Sequence, residues 1–210
     1  MRIGILSDIH GELDALHQAL ALFQRLGVET LICAGDLVDR GADGDKVVDM
    51  IRQMHIPCVQ GNHDAMAQRT RAFLARHLND NLPIEPLRPD TVNFLSELPL
   101  ELRFEWGGIN VYMTHENPMH DPSRFIYPNA SRTTFESIVQ TAKAQIIILG
   151  HTHRPMQVQI GDAQIINPGS IYANYGPYEQ TCGILNLPER TFELRDVQTG
   201  QPLSLKPILP

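Results

Sequence analysis

Nine histidines occur in 210 residues, and five of them stand where an apolar run stops. The run IIILGHTHRP at 146–155 is the plainest case. Its aliphatic residues end at a glycine, and His151 and His153 follow, one threonine apart. The same punctuation recurs. RIGIL leads into SDIHG, with Asp8 and His10. ETLICA leads into GDLVDRG, with Asp36, Asp39 and Arg40. IPCVQ leads into GNHD, with Asn62, His63 and Asp64, and INVYMT leads into His115. One such pair is as easily a turn or a helix cap as a ligand pair. Five groups, each at the end of a strand-like run, form a pattern that independent caps do not produce.

Carboxylate, imidazole and one amide oxygen, without thiolate, are donors for Mn²⁺, Fe, Zn²⁺, Ni²⁺ or Co²⁺ rather than for a cysteine-type structural zinc site. The seven candidates Asp8, His10, Asp36, Asn62, His115, His151 and His153 exceed the needs of one ion. One carboxylate can bridge two cations roughly 3.5–4 Å apart, as in two-metal sites.

The elements that must position these groups follow from periodicity. RIGIL, ETLICAGD and IPCVQGNHD read as buried strands separated by helical patterns, ELDALHQALALFQRLG (with Gly27 as C-cap) and DGDKVVDMIRQMH. A β-α-β-α-β order with apolar strands predicts a parallel sheet covered by helices. A helix over AMAQRTRAFLARHL, a loop over NDNLPIEPLRPD and a helix over TVNFLSEL come next. The second half predicts a hairpin (LELRFEW, Gly-Gly, INVYMTH), a helix at TTFESIVQTAKA and the strand QIIILGHTH. A second hairpin (MQVQI, Gly-Asp, AQIIN) and two antiparallel strands, CGILNL and TFELRDV, follow. The simplest arrangement is α/β: a four-layer α/β/β/α sandwich of two mixed β-sheets flanked by helices, in a single domain over 1–210. The carboxyl ends of parallel strands meet in one crevice, so ligands far apart in sequence converge there.

The ordered set DIHG, GDLVDRG, GNHD, a lone strand-end histidine and GHTH, with NPGS at 167–170, resembles the calcineurin-like metallophosphoesterase superfamily, in its short bacterial phosphodiesterase or phosphatase form. The resemblance implies two divalent ions, with manganese the first choice. Asp8, His10, Asp36 and His153 would hold one; Asp36 (bridging), Asn62, His115 and His151 would hold the other. It implies His63 as general acid, oriented by Asp39, with Arg40 on the phosphate oxygens. Arginine's planar fork suits bidentate phosphate contacts. A metal-bridging hydroxide would attack phosphorus in line, with no covalent enzyme intermediate. Where the family often has glycine after the lone histidine, this chain has Glu116. That residue is expected to narrow the site, accept a hydrogen bond beside it or repel highly charged substrates.

NPGS and the chain's length point to phosphodiesterases; GDLVDRG points instead to phosphomonoesterases such as Ser/Thr protein phosphatases and dinucleoside tetraphosphate hydrolases. A third reading, a non-catalytic scaffold like the retromer subunit of the superfamily, would be marked by loss of His63 or of ligands, and here all are present. His17, His55 and His77 are expected on the surface or in packing. For His120, lining the pocket is the weaker reading. Tyr172, Asn174 and Tyr175 could contact substrate unless NPGS is only a tight turn, and Trp106 is expected to pack in the sandwich.

A composition 42% hydrophobic and 20% charged allows one sizeable core. The net charge of −7, without a Lys/Arg block, argues against a general grip on nucleic acid or anionic membranes. Three cysteines without CxxC spacing predict buried thiols in a reducing compartment. With no signal-like or membrane-length apolar run, the expectation is a soluble cytoplasmic protein acting on a small phosphate ester.

Overall fold

The computed structural model describes residues 1–76, 86–172, 179–205 and 208. His77, Asn174, Tyr175 and residues 79–85 of the Pro- and Asn-rich stretch lie outside the described residues. The elements run β1 (Arg2–Leu6), α1 (Leu13–Arg25), β2 (Thr30–Cys33), α2 (Gly44–Gln53), α3 (Asn62–Arg76), α4 (Pro89–Glu97), β3 (Glu101–Trp106), β4 (Ile109–Thr114) and α5 (Arg132–Ala142). They continue with β5 (Ile146–Ile148), β6 (Met156–Ile160), β7 (Ala163–Asn167), β8 (Thr181–Asn186), β9 (Thr191–Asp196) and β10 (Pro202–Leu203).

Two five-stranded mixed sheets face each other, ordered β10-β9-β8-β1-β2 and β3-β4-β5-β7-β6. Among the described strands, β1 with β2, and β4 and β7 with β5, run parallel. The apolar strands are explained by cover on both faces. In β5, Ile146 and Ile148 point into the core between the sheets with Ile3, Ile5, Ile32 and Val111. Ile147, between them, points the other way, against Phe135 and Ile138 of α5. On the far side of the first sheet, Leu16 and Phe23 of α1 and Val47 and Ile51 of α2 bury against Cys33, Cys182 and Ile184. These layers are the expected helix–sheet–sheet–helix order.

Local signals explain most element ends. Gly27 takes φ +66° just past α1 and so ends that helix. Ser131 caps α5 by accepting from Thr134 N at 3.2 Å. The third predicted strand shrinks to one bridge, Cys33 with Cys58, made by Cys33 N to Pro57 O and Val59 N to Cys33 O. Pairing stops there because α3 opens at Asn62, earlier than its apolar pattern announces. The single parallel pair in the first sheet likewise falls short of the expected parallel run, because β8 returns antiparallel to β1 and takes its other edge. Trp106 packs against the inter-sheet core, stacked on Phe104 at 4.4 Å. His17 and His55 are exposed, and all three cysteines are buried and free. Among the described residues, no helix is long and apolar enough to cross a membrane.

Truncating Ile148, which is fully buried between the sheets, opens a cavity that the flanking strands cannot close. Ile148→Ala is expected to lower stability in urea denaturation by about 2–5 kcal/mol.

Candidate metal centre

The groups singled out by sequence arrive at one edge of the two sheets. Beyond β1 come Asp8 and His10, beyond β2 Asp36, beyond β4 His115, and beyond β5 His151 and His153. Asn62 and His63 come from the first turn of α3. Asp8, His10, Asp36, His115 and His153 are all buried. Carboxylate and imidazole atoms form three groups within each of which every ligand atom lies within 4.8 Å of the others: Asp8, His10 and His153; Asp36, His115 and His151; and His10, Asp36 and His63.

The spacing suits donors that could share a cation. His153 Nε2 lies 3.1 Å from Asp8 Oδ1, and His10 Nε2 lies 3.1 Å from His153 Nε2. His115 Nε2 stands 3.1 Å from Asp36 Oδ2 and 3.2 Å from Asn62 Oδ1, and Asn62 Oδ1 also meets His151 Nδ1 at 2.7 Å. Asp36 Oδ2 is 3.7 Å from His10 Nε2, which makes Asp36 the carboxylate between the first two groups.

The ring orientations are set from behind. His10 Nδ1 donates to Val38 O at 3.1 Å and His115 Nδ1 to Ala34 O at 2.6 Å, so each ring turns Nε2 toward the centre. Burial pushes His10 and His151 down to about 4, leaving both imidazoles neutral at pH 7 with a lone pair to offer. Burial alone would also lower His115, but the Asp36 carboxylate overrides it and lifts this group to about 10. Burial opposes ionisation of Asp36 and Asp8. The charge of His115 on Asp36, and the His153 contact and His115 charge on Asp8, nevertheless hold both below the usual carboxylate range. Asp8 Oδ1 is buried without a hydrogen bond. A buried carboxylate oxygen whose near polar neighbours are imidazole nitrogens, His153 Nε2 at 3.1 Å and His115 Nε2 at 4.0 Å, suits a divalent cation.

His63 and Asp39 form a separate pair at the rim. His63 Nδ1 donates to Asp39 Oδ2 at 2.7 Å, and this hydrogen bond raises His63 and lowers Asp39. Arg40 lines a cavity with His151 and His153, and its guanidinium lies 5.6 Å from the Tyr172 ring. Glu116 lines a different cavity, with Asn62, His115 and His120. Glu116 is thus not among the residues lining Arg40's cavity, and His120 does line a pocket, the one beside His115.

Several positioning residues escaped the sequence reading. Asp64, the last residue of GNHD, is buried and accepts three backbone hydrogen bonds, from Asp36 N, Leu37 N and Gly61 N at 2.8–2.9 Å. NPGS is more than a turn. Asn167 Nδ2 donates to Gly150 O at 2.7 Å, and Ser170 Oγ donates to Asp8 O at 2.9 Å, tying the GHTH loop to SDIHG. An Asp at a helix start and an Asn-Pro-Gly-Ser turn are both common, so neither carries a signal of this role in sequence. Two motif glycines are required by close approach: a Cβ at Gly61 would lie 2.0 Å from Asp36 Oδ1, and one at Gly150 would lie 2.3 Å from Ser7 Oγ.

A two-sheet sandwich with a buried Asp/His cluster at its strand ends is the framework of a metal-dependent hydrolase, and the cluster suits divalent cations. The chain belongs to the calcineurin-like phosphoesterase superfamily, whose domain description matches residues 1–190. It is 26% identical over 175 residues to protein MJ0912 of Methanocaldococcus jannaschii, covering 81% of this chain and 70% of that protein. It is 24% identical over 194 residues to the phosphodiesterase MJ0936 of the same organism, covering 91% and 96%. The crystal structure of protein PH1004 from Pyrococcus horikoshii OT3 superposes with a TM-score of 0.79 at 16% identity, covering 93% of this chain and 87% of that one.

Gly61→Ala is expected to displace the Asp36 carboxylate and weaken divalent-metal binding about 10- to 100-fold, as disturbed ligand orientation does. The check is the rise in melting temperature on adding Mn²⁺, which should shrink. Asp64→Asn places an amide N–H₂ among three backbone donors and is expected to cost about 1–3 kcal/mol in urea denaturation.

Proposed function

We propose that this chain hydrolyses phosphate esters, preferentially diesters, by in-line displacement at a centre of two divalent ions. The observation that carries this reading is the pair of buried ligand groups, Asp8/His10/His153 and Asp36/His115/His151, with Asp36 between them. The first ion would be held by Asp8, His10, Asp36 and His153, the second by Asp36, Asn62, His115 and His151. Ions of this class supply Lewis acidity to phosphoryl oxygens and lower the pKa of water; manganese, iron, zinc, nickel and cobalt all suit the donors.

The chain's own groups then have distinct tasks. Arg40, on the wall beside His151 and His153, neutralises charge on the equatorial phosphoryl oxygens. His63, anchored through Nδ1 on Asp39, keeps Nε2 for the proton that the departing ester oxygen takes. The P–O ester bond breaks, a P–O bond to the oxygen of water forms, the proton that water loses passes to solvent, and solvent returns one to His63. Raised basicity keeps His63 more fully protonated at neutral pH than a free histidine, as this role requires. The diester preference is supported by the relative named a phosphodiesterase, which aligns over nearly its whole length. The GDLVDRG residues Asp39 and Arg40 favour the second reading, a phosphomonoesterase. Against the scaffold reading stand His63 and the seven candidate ligands, all present.

Protein stripped with chelator is expected to lose turnover of bis-p-nitrophenyl phosphate and to regain it with Mn²⁺. His63→Ala should reduce the rate about 100-fold or more while metal still binds. A preference for p-nitrophenyl phosphate would move the chain to the monoesterase branch. No turnover of either ester with any of the five metals would overturn the reading.

A further inference from the structure

The wall of the Arg40 cavity is built from a segment that no part of the hydrolysis requires. Between β4 and α5 the chain runs in an irregular stretch through Phe125, Ile126 and Tyr127. Ile126 is 1% exposed and is driven into the core beneath α5. Its neighbours Phe125 and Tyr127, 48% and 42% exposed, are among the few large apolar side chains left in water among the described residues. The segment is held from below by Asn117, fully buried, whose Nδ2 donates to Asp121 O and Arg124 O and whose Oδ1 accepts from Met119 N. The fold thus fixes two aromatic rings outward, although leaving them in water forgoes the gain from burying them.

The position of the rings is informative. Phe125 stacks on His151, with centroids 4.6 Å apart and planes 25° apart, and Tyr127 lies nearly parallel to Phe125, 11° off with centroids 6.1 Å apart. Both rings line the cavity of about 170 Å³ that also holds Arg40, His151 and His153. Tyr127 and Arg154 then continue into a second cavity of about 440 Å³, which adds Pro128 and Asn129. A macromolecular partner seated on these rings would plug the mouth of the centre, whereas a substrate group would extend from it.

We propose that Phe125 and Tyr127, with Arg154, form a subsite for a flat aromatic ring carried by the phosphate ester, an aryl group or the base of a nucleoside phosphate. This rests on the phosphoesterase reading, because the ring's phosphate is the group placed beside Arg40. Phe125 already stacks on His151, and the exposed parts of Phe125 and Tyr127 are the aromatic surface left for a planar heterocycle, with Arg154 and Asn129 beside it for polar contacts to its edge. Stacking of a base on such side chains is worth a factor of roughly 5 to 150 in affinity.

The test uses non-hydrolysable phosphonates bearing a propyl, a phenyl or an adenosyl group, titrated calorimetrically into the Mn²⁺-loaded protein. The phenyl and adenosyl compounds are expected to bind roughly 5- to 150-fold more tightly than the propyl compound. That ratio should collapse in Phe125→Ala and in Tyr127→Ala and persist in Phe125→Tyr, with metal content measured on each variant. A tighter adenosyl than phenyl compound assigns the subsite to nucleoside phosphates; equal affinities assign it to aryl groups at large. Equal binding of all three, or a ring preference that survives both alanine variants, overturns the subsite even if bis-p-nitrophenyl phosphate is hydrolysed. A ring preference without turnover of any ester would instead overturn the phosphoesterase reading and leave the subsite standing.

Discussion

The structure turns on two carboxylates, Asp8 and Asp36, buried to 0% and 1% exposure at the ends of neighbouring strands. Two negative charges removed from water at one place are costly unless cations or donors meet them. Asp36 is met by His115, and Asp8 by Ser7 Oγ and His151 N at Oδ2 and by the His153 ring at Oδ1, with no backbone or hydroxyl donor among the described residues on Oδ1. Divalent cations would suit the same pair of carboxylates. Their burial also makes the surrounding loops hard to move, since any ligand withdrawn leaves a buried charge facing nothing.

Holding those loops takes unusual backbone. Asp8, His10, Asp36, Asp39, Arg40, His151 and His153 all have positive φ, between 50° and 95°. Left-handed backbone costs of order 1–3 kcal/mol at a non-glycine residue and persists only where its surroundings impose it. Asp and His are among the residue types that tolerate it best, so the ligand chemistry and the local geometry select the same side chains. The imposing contacts are the less conspicuous ones. Asp64 gathers the N–H groups of Asp36, Leu37 and Gly61, and Asn167 and Ser170 tie the last two motif loops to the first.

The fold was legible wherever a pattern was local. Apolar runs of strand length, helical periodicity and Gly-Gly and Gly-Asp turns mark both hairpins and the layer order, because burial on one face or two leaves its own spacing. The third strand was misread because IPCVQ has the composition of a strand but pairs at one residue only, a matter of how far Cys58 runs beside Cys33 before α3 begins. The roles of Asp64, Asn167 and Ser170 were not legible, because each acts through a backbone group distant in sequence.

The sequence by itself determined the candidate donor set: seven Asp, His and Asn side chains without thiolate, each placed after an apolar run, with His63, Asp39 and Arg40 beside them. Residue type and strand periodicity are properties of short windows, so they can be read without a fold. Tertiary structure alone decided which donors share a group, which ring nitrogen faces the centre, and that Glu116 and Arg40 line different cavities. It alone turned the rings of Phe125 and Tyr127 toward that centre, because only the packing of Ile126 beneath α5 fixes which side of the segment faces water.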